Sequence, residues 1–216
     1  MKRPFEAPLE LRGEFAGILR GEYAIPQIKF DKPPIVLDCG ANVGAFSTWA
    51  RTAWPDCKVI AYEPSAKVAA VFRRNCPGIE LHERAILGGA QKNHLGFRER
   101  PRDMAETIRL YDGKNNSGQA SLFPGEYVAD SFQEVRTLWA GDLPNCDFLK
   151  IDTEGSEIPI LQDYKFLHNV TGVALEFHAQ ADQWKIGQLL SEAGLICSMH
   201  AFWKTGTGGV MKWRRP

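Results

Sequence analysis

The chain has 216 residues with 26 Lys and Arg against 26 Asp and Glu, a formal net charge of zero, so no overall field draws it to nucleic acid or to an anionic membrane. A hydrophobic content of 44% supports a sizeable core, yet no apolar run approaches the ~20 residues of a membrane helix, and residues 1–6 lack the apolar centre of a signal peptide. Five cysteines (Cys39, Cys57, Cys76, Cys146, Cys197) are odd in number and without C-x-x-C spacing, which argues against a disulfide framework and for reduced thiols in a cytoplasmic protein.

One domain is expected over residues 1–216, with an N-terminal extension over 1–30 and an inserted cap over 88–138. Residues 9–19 are predicted to form a short amphipathic helix that packs on a sheet edge or covers a cofactor. A strand predicted at 35–39 runs through Ile35-Val36-Leu37-Asp38-Cys39 into the turn Gly40-Ala41-Asn42-Val43-Gly44 and a helix over 44–53. Gly40 lets the chain bend at the strand's carboxyl end, and Gly44 lets the helix N-terminus bring its unpaired N–H groups to a ligand. The spacing is G-x-x-x-G, not the dinucleotide fingerprint G-x-G-x-x-G. Asp38 stands where a dinucleotide would bring its pyrophosphate, so charge favours a cofactor with a cationic end, such as S-adenosyl-L-methionine.

The next strand, 58–62, ends in Glu63, 25 positions after Asp38, where doubly wound folds place the carboxylate that accepts both ribose hydroxyls. Pro64 then opens a helix over 65–75, and a third strand is predicted at 79–82. The stretch from Gly88 to Leu138 is too long for an ordinary βα connection and reads as a substrate cap. Within it Arg98, Arg100, Arg102 and Arg109 form a basic cluster, either a reception for an acidic substrate or a solvated hairpin face. A strand at 147–151 carries Lys150 and Asp152 to its end and yields to a helix over 156–162, so three carboxylates and an ammonium gather at one tip. A strand at 172–177 leads to His178, a helix follows over 181–193, and strands at 195–203 and 209–213 are joined by a glycine-rich turn. Alternating strands and helices imply an α/β fold with a mostly parallel, doubly wound, Rossmann-like sheet, closed here by an antiparallel hairpin.

Five motifs taken together resemble the FkbM-type S-adenosylmethionine-dependent methyltransferases: Val36-Leu37-Asp38-Cys39-Gly40-Ala41-Asn42-Val43-Gly44, Tyr62-Glu63-Pro64, Ser117-Gly118-Gln119-Ala120-Ser121-Leu122, Phe148-Leu149-Lys150-Ile151-Asp152-Thr153-Glu154-Gly155-Ser156-Glu157 and Leu175-Glu176-Phe177-His178. The Lys-Ile-Asp-x-Glu-Gly-x-Glu run is the most particular of them. One departure lies at Thr137-Leu138-Trp139, where members of that family commonly carry Thr-Leu-Asp. The resemblance implies a class I methyltransferase fold and transfer of a methyl group to a hydroxyl of a sugar or polyketide-type small molecule.

Ligands in open α/β sheets bind outside the carboxyl ends of the strands, and Asp38, Glu63, Asp152 and His178 all fall at such ends. The expected cofactor residues are Asp38, Gly40, Ala41, Asn42 and Gly44 on the first turn, Glu63, Pro64 and Ser65 after the second strand, and Ala85 after the third. The expected catalytic residues are Asp152, His178, Lys150 and Glu154. His178 titrates near neutral pH and is the candidate general base, the alternative being a hydrogen-bonded structural histidine. Lys150 is read as a partner that holds Asp152 in place. A divalent cation on Asp152, Glu176 and His178 is a competing design. Because Glu176 reads as internal to its strand and no Asp-Asn pair follows, no metal is expected. The expected partner is a small-molecule or glycan hydroxyl, with RNA or protein as the alternative substrate class and a non-catalytic nucleotide-binding module as a third reading. The oligomeric state is left open.

Overall fold

The computed structural model describes residues 5–8, 12–89, 91, 107–113, 121–122, 128–203 and 205–216. Arg98, Arg100, Arg102, residues 9–11 of the expected first helix and most of the Ser117-to-Leu122 motif lie outside them.

The first helix, α1 (Arg12–Leu19), buries Phe15 and Ile18 and packs on α2. The βα alternation then follows as β1 (Ile35–Cys39), α2 (Ala45–Ala53), β2 (Lys58–Tyr62), α3 (Ala66–Asn75) and β3 (Glu80–His82). It resumes after an interruption as β7 (Phe148–Ile151), α4 (Glu157–Asp163), β8 (Gly172–Phe177), α5 (Asp182–Glu192), β9 (Ile196–Phe202) and β10 (Gly209–Arg214). These strands form one sheet in the order β3-β2-β1-β7-β8-β10-β9, parallel except for β10, which runs antiparallel to both its neighbours. Central strands read as continuous apolar runs because helices cover both faces. On one face Leu37, Leu149, Ile151, Leu175 and Phe177 pack with Ile160 of α4 and Ile186 of α5. On the other, Val36, Val59, Phe148 and Ala174 pack with Phe15 and Phe46.

The chain leaves the sheet after β3 and re-enters at β7, on the opposite side of β1, so the strand order reverses between β1 and β7. That reversal opens the crevice in which such sheets bind ligands. Its register sets Asp38 opposite Lys150 and Cys39 opposite Ile151.

The interruption is a second sheet of β4 (Ala85–Leu87), β5 (Thr107–Gly113) and β6 (Val128–Trp139), ordered β4-β6-β5, with a core of Ala85, Leu87, Ile108, Leu110, Leu122 and Val135. The boundary expected at Gly88 is therefore late by one strand. Three residues are too few to carry a periodic signal, and β4 is recognisable only by its parallel pairing with β6, Ala85 opposite Thr137. No helix among the described residues is long and apolar enough to cross a membrane.

Candidate active site

Gly40 turns the chain off β1 with φ 78°, and a Cβ there would collide with the main-chain carbonyl of Asp152. The absence of a side chain thus lets the first turn lie directly against the end of β7. Asn42 follows in the left-handed region (φ 48°), which aims its N–H at Glu63 Oε2 at 3.0 Å. Ser65 N donates to the other oxygen, Glu63 Oε1, at 2.9 Å. Burial pushes the Glu63 carboxyl up to about 7, against the pull of those two amides.

Glu63 forms part of the wall of an open cleft at this strand end. Gly40, Asn42, Pro64 and Ala85 line it with Glu63, Asp152 and Glu154 form a further part of its wall, and Leu110 and Leu122 reach in from the second sheet. The second sheet therefore walls the cleft itself, a role no local pattern in β5 signals.

Four residues expected at the cofactor lie outside this lining, and each has a physical reason. Asp38 is fully buried, accepts from Ser47 Oγ at 2.6 Å and sits 3.4 Å from Lys150 Nζ, a charge partner inside the protein. Gly44 lacks a Cβ for packing: one there would press on Cys76 Sγ and the Phe72 ring of α3. Ala41 is buried with that same pair. Ser65 is the N-cap of α3, accepting from Val68 N at 3.5 Å.

Behind the wall at Asp152 is an ionic cluster. Lys150 Nζ donates to Gly40 O at 2.7 Å and lies 3.5 Å from Asp152 Oδ2, which ties the first turn to the fourth strand of the main sheet. Burial alone would lower its pKa, but Asp38 and Asp152 outweigh it and hold the ammonium charged. The His178 imidazole stands 3.6 Å from Asp152 Oδ1, 3.5 Å from Glu154 Oε2 and 3.8 Å from Glu157 Oε1. Burial opposes its charge, yet these carboxylates push it up to about 10. At neutral pH His178 is consequently an imidazolium with no free lone pair. Three acids meet at this one ring, whereas the sequence shows it beside only one. Asp152 is held ionised: burial raises its pKa, and Lys150 with His178 more than reverses this.

The turn after β7 is held by Glu157, whose Oε1 accepts from Thr153 N at 2.8 Å and Thr153 Oγ1 at 2.9 Å while Oε2 accepts from Gly155 N at 3.1 Å. Glu176 is indeed within β8, as its alternation suggested, and its carboxyl accepts from the Tyr23 hydroxyl. Tyr23 comes from the segment between α1 and β1, where no periodicity marks it, and sequence reasoning missed it. Trp203 closes the other side of His178, with ring centroids 5.5 Å apart. Of the arginine cluster, Arg109 is described: its guanidinium lies over the Phe132 ring at 4.3 Å, on the exposed face of the second sheet.

The methyltransferase FkbM domain matches residues 38–204. Methyltransferase 1 of Beauveria bassiana is 24% identical over 153 residues, covering 62% of this chain and 59% of the relative. The hexuronic acid methyltransferase AglP of Haloferax volcanii is 24% identical over 184 residues, covering 82% and 71%. The chain spans about 60% of the length of the first two curated relatives it matches. Among solved structures, methyltransferase FkbM from Methylobacillus flagellatus superposes with a TM-score of 0.60 at 13% identity, over 91% of this chain and 47% of that one. Fibrillarin from Aeropyrum pernix, solved with natively bound S-adenosyl-L-methionine, superposes with 0.50 at 10% identity, over 93% and 74%. These two share the fold. The match over residues 38–204 takes in the carboxyl end of β1 and every other strand of the main sheet except the last, β10, and it establishes that this chain belongs to the FkbM methyltransferase domain family.

Proposed function

We propose that this chain is an S-adenosyl-L-methionine-dependent O-methyltransferase acting on a hydroxyl of a small molecule or glycan. One observation carries the reading: a single cleft is lined both by Glu63, whose two oxygens are oriented by backbone amides, and by the Asp152 and Glu154 carboxylates. Glu63 fits a vicinal diol such as a ribose, and the other two carboxylates fit a sulfonium. When bound, the cofactor supplies a methyl group already activated by its positive sulfur.

The protein then has to orient the acceptor, exclude water and take up a proton. As the O–CH3 bond forms, the hydroxyl loses its proton, and the ionised Asp152 is the group placed to receive it. His178 in its protonated state steadies that carboxylate, and Lys150 keeps it against the first turn. The hexuronic acid in the Haloferax relative's name supports a glycan acceptor. Screening hydroxylated metabolites and oligosaccharides with methyl-labelled cofactor is expected to label a hydroxyl. Calorimetric preference for a nicotinamide dinucleotide over S-adenosyl-L-methionine would refute the reading.

A second reading is favoured by one observation. Asp152, Glu154 and His178 each offer a ligand atom, and these lie within 4.8 Å of one another, a mixed carboxylate and imidazole donor set that suits a divalent transition metal such as Mn²⁺ better than Mg²⁺. Such a cation would lower the pKa of a bound hydroxyl. The primary reading expects turnover to survive EDTA. Loss with EDTA and recovery with Mn²⁺ would replace the proton-accepting Asp152 by a metal-activated hydroxyl.

A further inference from the structure

We propose that Tyr23 is a positioning residue of this site, holding the Asp152 carboxylate in place from a segment that lies outside the β-sheet, so that the stretch before β1 is part of the active site. The inference rests on the reading of the cleft as an S-adenosyl-L-methionine site.

Tyr23 is 1% exposed and 129 positions from Asp152. Its ring meets Phe46 edge-on, with centroids 5.7 Å apart, and lies 5.6 Å from Lys150 Nζ. Its hydroxyl donates to Glu176 and also lies 3.4 Å from Asp152 Oδ2. A phenol has one proton, and both carboxylates lie within its reach, so that proton bridges Glu176 and Asp152. The segment is fastened on both sides of Tyr23: α1 packs on α2, and Lys212 Nζ on β10 donates to Ala24 O at 2.9 Å.

Asp152 needs this contact because its other side-chain neighbours are long. Lys150 is 3.5 Å from Oδ2 and His178 is 3.6 Å from Oδ1, both beyond a well-formed charged hydrogen bond. With three loose contacts setting the carboxylate's direction, removal of one lets it turn. Since Asp152 lines the cleft, the turn changes how negative charge faces the sulfur of a bound cofactor.

The test needs no acceptor. S-adenosyl-L-methionine carries a positive sulfur and S-adenosyl-L-homocysteine a neutral one, so their affinity ratio reads the charge facing that atom. Titration calorimetry on the full chain with Tyr23→Phe, which keeps the ring, is expected to show about tenfold weaker S-adenosyl-L-methionine binding. S-adenosyl-L-homocysteine binding should stay within about twofold of wild type, a change too small to reflect a lost hydrogen bond. Equal weakening of both ligands, or no change in either, would overturn the proposal, since Tyr23 would then serve the cleft only as packing. Should Tyr23→Phe fail to fold, Glu176→Gln offers the second measurement, for it leaves the hydroxyl an acceptor and its contact with Asp152. Its affinity ratio is expected to equal that of wild type, and a fall would overturn the proposal. Failure of the wild-type chain to bind either ligand would instead refute the cofactor reading.

Discussion

Glu63, which lines the cleft, and His178, behind its wall, have opposite charge problems. Glu63 is a carboxyl that burial pushes up to about 7 from an ordinary 4.5. Its protonated form is favoured in the fold, so this contribution to stability is full below about 4.5 and is lost as pH rises through about 7. A ribose diol donates to the anion, so cofactor affinity should rise over the same interval, with proton release on binding. Calorimetry at pH 6 and pH 8 checks this, and Glu63→Gln should flatten the dependence while weakening binding by ~1–3 kcal/mol. His178 is a base pushed up to about 10, so its charge stabilises the fold fully below its ordinary 6.5, and that contribution is lost as pH rises through about 10. His178→Ala and Asp152→Asn are each expected to lower kcat by ~10²-fold or more, and Asp152→Asn, which removes the charge facing the sulfur, should also weaken S-adenosyl-L-methionine binding while sparing S-adenosyl-L-homocysteine. A histidine with only a structural role would lower the melting temperature and leave turnover of the folded fraction intact, so both quantities are measured on the same protein.

At the scale of elements, the turns matter more than the strands they join. Glu154 occupies the left-handed region at φ 55°, and Gly155 follows at φ 114°, a path that Glu157 holds by accepting from Thr153 and Gly155. Glu157 is 3% exposed, and Glu157→Ala removes the acceptor of the half-buried Thr153 and the exposed Gly155, at a cost of about 1 kcal/mol for each lost hydrogen bond. Melting temperature and cofactor affinity should fall together in that variant, and a fall in stability alone would show that the turn does not shape the cleft. The strands were legible in the sequence because β1, β2, β7 and β8 are covered on both faces and therefore read as apolar runs. The short β4 was not legible, since its strand character comes from β6, some 50 positions later in the chain.

For the whole molecule, the N-terminal segment is structural as well as functional. Phe15, Ile18, Tyr23, Ile25 and Ile28 are buried in the same cluster as Phe46 and Phe148 of the main sheet layer. Removing residues 1–30 strips these side chains from one face of the sheet, at ~1.5–3 kcal/mol for each buried apolar side chain lost. That sum is comparable with the whole stability of an ordinary domain, and the truncated chain is expected to lack a cooperative thermal transition by calorimetry. By itself the sequence determined the βα alternation, the terminal hairpin, the glycine turn beside β1 and the acids at the ends of β2 and β7, because each is written in local periodicity or in residues next to one another. Only the tertiary structure decided that Asp38 is balanced by Lys150, that three carboxylates meet at His178, that Tyr23 reaches Asp152 and that the second sheet walls the cleft. Charge state and contact depend on which distant groups share a low-dielectric neighbourhood, and that follows from strand order and register, which no local pattern encodes.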